Sequence, residues 1–413
     1  MRAKDAGELS PGRSAARRRV IKRWRTAALG TLIALIAIAA MVIAKDEEGR
    51  PPGAGSAARS GASRAGAGQA ARGASPHAAP SLRPSGTASV NLRPGSDPSV
   101  LPAPVLIADD DNNRLLEVDP RGRVLWRFPA PGDLSRGQTF KRPDDAFFSP
   151  DGRQLIVTQE DDFVITVIDL TRRHIVYRYG HPGVPGSKPG YLNNPDDAML
   201  MPSAEILSAD IKNCRLIVIH PPAHKLLRQL GITGSCTHQL GTSYGSPNGA
   251  FPLSDGGTAI TEINGNWLDV LSRDGRPLFD THPPGFTYPS DTNEVRPGLF
   301  LSADYTSPGA LETFTSDGRL RWRYAPQGPH ALNQPSLALP LPNGDILAND
   351  DKNHRVIVID PRTNKIVWQY GHTHVPGAGE GFLNNPDGVD LAPPYSLAAR
   401  FAATLHAPNA DRR

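Results

Sequence analysis

Two cysteines, four methionines and 6% aromatic residues are spread over 413 positions. There is no CxxC pair and no HExxH, and the single HxH is His372/His374. The usual spacings that hold a catalytic or structural zinc are therefore missing. No GxxxxGK[ST] loop occurs, which removes the P-loop nucleotide binders. GTSYG (241–245) and GSPNG (245–249) imitate a serine nucleophile elbow, but neither lies between a strand and a helix, as that geometry demands. A basic face is missing as well. Residues 1–100 hold 16 Lys/Arg against 6 Asp/Glu, whereas 101–413 hold 29 against 35. The formal charge of +4 thus belongs to the N-terminal region, and no nucleic-acid partner is expected.

Composition divides the chain before any fold is considered. Residues 1–25 form a basic tail, expected on the cytoplasmic side. TAALGTLIALIAIAAMVIA (26–44) carries no charge and, at about 1.5 Å per residue, reaches roughly 28 Å as a helix, near the thickness of a bilayer core. Arg17, Arg18, Arg19, Lys22, Arg23 and Arg25 precede it. The expectation is one transmembrane helix, a single-pass cell-membrane protein with its N-terminus inside and the remainder extracytoplasmic. A cleaved signal peptide ending near Ala44 is the alternative, and ARRRVIK (16–22) also resembles a twin-arginine export signal with Ala16 in the Ser/Thr place. Residues 45–96 read as a disordered Ala/Gly/Ser/Pro linker, a tether of about 40 Å mean span. Residues 393–413 are a C-terminal tail, alanine-rich and then polar.

Residues 97–392 repeat one phrase. A proline followed by short polar residues begins copies at Pro143, Pro195, Pro247, Pro289, Pro335 and Pro386 (PDD, PDD, PNG, PSD, PSL, PDG). Each opens a short hydrophobic strand. A second strand ends at Asp109, Gln159, Asp210, Glu262, Asp304 or Asp350. A third reads like RVIVID, and a fourth bears Trp126, Tyr177, Leu227, Phe279, Trp322 or Trp368. Periods of 42 to 52 residues with four short strands each specify an all-β, six-bladed β-propeller with four-stranded blades. The first copy lacks an opening strand. PDGVDL (386–391) is expected to supply it from the C-terminal end, with SDPSVL (96–101) as the competitor.

The copies YGHPGVPGSKPGYLNNPDDA (179–198) and YGHTHVPGAGEGFLNNPDGV (370–389), with ADIKNCRLIVI (209–219) and NDDKNHRVIVID (349–360), resemble the NHL repeat family of six-bladed propellers. The resemblance implies the fold over roughly 97–392 and is consistent with binding modules, sensors and occasional enzymes alike.

Propeller topology places the turns between second and third strands on the same rim as the inter-blade loops. That rim should carry His181, His238, His282, His330, His354, His372 and His374. Near the central opening it should carry Asp144, Asp145, Asp196, Asp197, Asp291 and Asp387, which with His330 are the ligand-binding candidates. Carboxylates and imidazoles there suit a divalent calcium or zinc ion, with His372 and His374 as further metal candidates. The acids ending the second strands read as structural turn residues instead. Cys214 and Cys236 share the rim and are expected to form a disulfide, as an even pair outside the cytoplasm would.

Two functions stay open. One is a tethered binding module for an extracytoplasmic protein, glycan or small molecule. The other is a propeller enzyme, arylsulfate sulfotransferase-like or metal-dependent lyase-like, acting at the central opening. LPNGDILAND (341–350) and the tryptophan-bearing fourth strands resemble the sulfotransferases, but no inner strand here carries their histidine, and His330 is the nearest substitute.

Overall fold

The strands of the repeat run from three to eight residues, the length of a strand in a small twisted sheet. In the computed structural model, which describes residues 91–406, these strands form six four-stranded antiparallel sheets. The segments 1–25, 26–44 and most of 45–96 lie outside the described residues; among the described residues no helix is long and apolar enough to cross a membrane. Blade 1 consists of β1 (Val105–Asp109), β2 (Arg114–Val118) and β3 (Val124–Phe128). Blade 2 holds β4 (Ala146–Phe148), β5 (Gln154–Gln159), β6 (Val164–Asp169) and β7 (His174–Gly180). Blade 3 holds β8 (Pro195–Leu200), β9 (Ile206–Asp210), β10 (Arg215–His220) and β11 (Lys225–Leu230). Blade 4 holds β12 (Pro247–Pro252), β13 (Thr258–Glu262), β14 (Trp267–Leu271) and β15 (Pro277–Thr281). Blade 5 holds β16 (Pro289–Arg296), β17 (Leu299–Asp304), β18 (Ala310–Thr315) and β19 (Leu320–Tyr324). Blade 6 holds β20 (Ala338–Pro340), β21 (Ile346–Asp350), β22 (Arg355–Asp360) and β23 (Lys365–Gly371).

The last strand, β24 (Pro386–Leu391), completes blade 1 by pairing antiparallel with β1, Val105 opposite Leu391 and Ile107 opposite Val389. The C-terminal strand therefore closes the ring, and the competing segment 96–101 forms a 3-10 turn at Pro98–Val100. The edge that β1 would present to solvent is occupied.

Burial follows from position in the blade. Third strands are covered on both faces by neighbouring blades, so β6, β10 and β22 read as near-continuous apolar runs. Fourth strands alternate between exposed and covered positions, as in Val124–Phe128. The exception is β23. There the chain at 91–97 runs alongside, with Arg93 N–H donating to Gln369 O (3.1 Å) and Asp97 N–H to Val367 O (2.8 Å). Trp368 and Tyr370 are consequently fully buried, and the Trp368 indole N–H reaches Pro120 O at 2.8 Å.

The C-terminal tail does more than trail away. A helix, α1 (Leu397–His406), begins six residues after β24, and its Leu397 and Ala398 join the main hydrophobic cluster. Asp390, buried at the end of β24, accepts N–H bonds from Leu391, Leu397 and Phe148 at 2.8 to 3.0 Å. One carboxylate thus fastens the helix, the closing strand and blade 2 together.

Candidate functional site

The repeat phrase AD..N.R has a definite mechanical purpose. In blade 3, Asp210 accepts from Asn213 (2.8 Å), Arg215 (2.8 Å) and the Asn193 N–H (2.7 Å). Asn213 and Arg215 in turn donate to Gly186 O, Ser187 O and Tyr191 O of the inter-blade loop. Asp109, Asn112 and Arg114 repeat this clamp on the loop at 377–384, and Asp350, Asn353 and Arg355 repeat it in blade 6. These acids are structural, as their turn positions suggest. The clamps also show that the turns after the second strands and the inter-blade loops share one rim.

From each clamped loop the chain turns toward the axis. The residue before five of the six prolines (Arg142, Asn194, Ser246, Gln334 and Asn385) takes a left-handed conformation, φ 47 to 59°. The proline then opens the inner strand, and in β8, β12, β16 and β24 the register slips at once, so that the short polar residues are extra relative to the partner strand. A bulge re-aims side chains and ends regular pairing, and here it directs Asp196/Asp197, Asn248, Ser290/Asp291 and Asp387 inward.

The result is a polar cavity of about 80 Å³, lined by Asp144, Asp145, Glu160, Asp196, Asn248, Tyr288, Ser290, Asp291, Tyr305, Ser336 and Asp387, with Ile211 beside them. No lysine or arginine lines it. Asp145, Asp197 and Asp291 are almost fully buried, and each has its Oδ1 without a hydrogen-bond partner. One ligand atom from each of these three lies within 4.8 Å of the others, and Asp144, Asp145 and Asp196 form a second such trio sharing Asp145. Burial, and then the neighbouring carboxylates, push Asp144, Asp145, Asp196, Asp197 and Asp291 well above the usual carboxylate range. Glu160 is raised to about 7 by the same causes, burial first. Such a set takes up either protons or a bound cation, since several adjacent carboxylates cannot all stay charged in so dry a place.

The sequence candidates separate here. Asp144, Asp145, Asp196, Asp291 and Asp387 line the cavity, and Asp197 lies directly behind it in the trio with Asp145 and Asp291. His330 is exposed and does not line it. His372 and His374 are exposed on the inter-blade loop, the His372 ring lying 4.2 Å from Phe382, and neither joins a group of metal-ligating side chains among the described residues. Glu160, Tyr288 and Tyr305 went unnoticed in the sequence. Glu160 follows a strand whose terminal acid is replaced by Gln159, and only its register with Asp109 and Asp210 could have flagged it. Cys214 and Cys236 are joined as a disulfide across 22 residues, holding the 231–246 loop to the turn after β9.

No family model matches the chain, and no curated protein matches it. Several solved structures are similar to the chain. A protein of unknown function from Bacteroides caccae is 13% identical with a TM-score of 0.48, over 70% of this chain and 98% of that one. A streptogramin B lyase is 16% identical with a TM-score of 0.43, over 59% and 72%. A virginiamycin B lyase from Staphylococcus aureus is 15% identical with a TM-score of 0.41, over 58% and 75%.

Proposed function

We propose that this chain is an NHL-repeat-like binding propeller, tethered to the cell membrane through 26–44 and held outside the cytoplasm, whose axial carboxylates take a divalent cation of the calcium type and present it to an anionic group on a protein, glycan or small molecule. The observation that carries the reading is the set of orphaned Oδ1 atoms of Asp145, Asp197 and Asp291, buried together with no cationic side chain in the cavity. Calcium is served by clustered carboxylate and hydroxyl oxygens, and Asn248 and Ser290 add neutral oxygens beside the acids. The Cys214–Cys236 disulfide suits an oxidising compartment. The cavity of about 80 Å³ adjoins a second of about 100 Å³ that shares Asp144, Glu160, Tyr305 and Asp387 and adds Arg142 and Lys352, so a larger anionic ligand would be bound across the rim.

Calorimetric titration of the chelator-treated full chain with Ca2+ tests this. One saturable site is expected, weakened at least about tenfold when Asp145 and Asp291 are both changed to Asn. Absence of binding by the unaltered chain, or unchanged binding by the double variant, rejects the axial site.

A further inference from the structure

Blade 4 departs from the repeat in a way that leaves negative charge without its usual partner. In blades 1, 3 and 6 the acid ending the second strand is matched by Arg114, Arg215 or Arg355 at the start of the third. Blade 2 lacks the arginine, with Val164 in its place, and lacks the acid too, with Gln159 accepting from Thr166. In blade 4 Trp267 replaces the arginine, yet Glu262 is retained and fully buried. A second acid, Asp269, sits two residues along β14 and is also fully buried. Blade 5 has Glu312 at that position and neutralises it with Arg323, directly opposite on β19. The residue opposite Asp269 on β15 is Asp280, a third acid.

The side chain that meets them comes from the disulfide-held loop. His238 Nδ1 lies 3.0 Å from Glu262 Oε1 and 3.6 Å from Asp269 Oδ1, and its Nε2 lies 3.2 Å from Asp280 Oδ2. Among the described residues it is the one Lys, Arg or His side chain within ion-pair distance of these carboxylates. Both oxygens of Asp269 lack a hydrogen-bond partner, and 3.6 Å is too long for one. It is instead close to the edge of a coordination tetrahedron, about 3.4 Å for bonds of 2.0–2.1 Å. Trp267 stacks on the imidazole at 4.1 Å, 14° from parallel, and His282 packs on the indole at 3.6 Å. The ring is thus fixed in orientation before anything binds, while Cys236, two residues earlier, ties its backbone to Cys214.

We propose that His238 through Nδ1, Asp269 and Glu262 form a second cation site, distinct from the axial mouth and selective for a zinc-class transition metal, with Asp280 holding the other ring nitrogen, Nε2, from behind. The imidazole is the ground for that selectivity, because calcium avoids nitrogen whereas zinc accepts one nitrogen with carboxylate oxygens. The competing description is a closed proton network, in which a protonated His238 and a proton shared by Glu262 and Asp269 satisfy the cluster without metal.

Zn2+ titration of the chelator-treated full chain, with Co2+ as an optical probe, separates the two. A stoichiometric Zn2+ site is expected, weakened more than about tenfold in both His238→Gln and Asp269→Asn but retained in Asp145→Asn/Asp291→Asn. Co2+ bound there should quench indole fluorescence, and the quenching should disappear in Trp267→Phe. Asp269→Asn is expected to melt no lower than the parent when metal-free, since it removes an uncompensated buried charge, so the loss of binding is not a loss of fold. Zn2+ binding unaffected by His238→Gln, or no Zn2+ binding alongside a large destabilisation in Asp269→Asn, establishes the proton network and overturns the metal site. An axial Ca2+ site that fails its own test leaves this result intact, and the reverse holds too.

Discussion

Arg355 and Asp350 are both nearly inaccessible to solvent, and the guanidinium also reaches Thr373 on the incoming loop. Burial raises the Asp350 carboxyl while the guanidinium draws it back, so the pair is tolerable only intact. Changing Arg355 to Met is expected to cost about 3–5 kcal/mol in chemical denaturation, because it strands a buried carboxylate. A matching Asp350→Asn/Arg355→Met double variant should recover much of that loss. This pair was legible from the sequence, since acid, asparagine and arginine recur at fixed offsets in three blades. The His238 cluster was not. Its four members come from one loop and three strands, and no spacing ties them together. Their only trace was a departure from the frame, Trp267 where arginine is expected and an acid two residues on.

The 231–246 loop depends on the disulfide as an element. Closing 22 residues contributes roughly 3 kcal/mol in the chain-entropy account, so a Cys214→Ser/Cys236→Ser variant should unfold about that much more easily. Its amide exchange should rise within this loop first, while the Asp210 clamp protects 186–193. The inner-strand bulges are the other decisive element. The proline phrases marked where each blade starts, but alternation alone could not say that the register slips immediately after Pro195, Pro247, Pro289 and Pro386. Aiming of the acids toward one cavity is a consequence of that slip, which depends on the backbone of the partner strand. Helix α1 was likewise hidden, because its anchor, Asp390, reads as one more polar residue in a strand.

At the scale of the ring, the axial acids couple stability to pH. Their folded-state pKa values lie above those of an unfolded chain, so the folded protein holds more protons between about pH 4 and 7. Stability of the metal-free protein should therefore fall as pH rises through that window, toward the value of about 7 reached by Glu160 and by Asp110 nearby. Added Ca2+ should reverse the fall, raising the melting temperature more at pH 7.5 than at pH 5. Thermal melts at the two pH values, with and without chelator, check this. Closure itself is the second property of the whole. Deleting 386–413 uncovers β1 and removes Asp390, the acceptor that holds Phe148 of blade 2, so the shortened chain should lose its cooperative melt and self-associate in size-exclusion chromatography. Six blades and C-terminal closure followed from counting repeats, since the deficit in the first copy matched the surplus at the end.

The junction in blade 1 carries one more implication. Val105 lies opposite Leu391, and the Ala392 N–H donates to Pro104 O at 2.8 Å, so the outgoing and incoming backbones already sit side by side like two arms of a hairpin. A splice there would remove 91–97 and helix α1, so a permuted chain opened at the exposed turn near Gln327 should keep six paired blades yet uncover β23 and melt at a lower temperature than the parent.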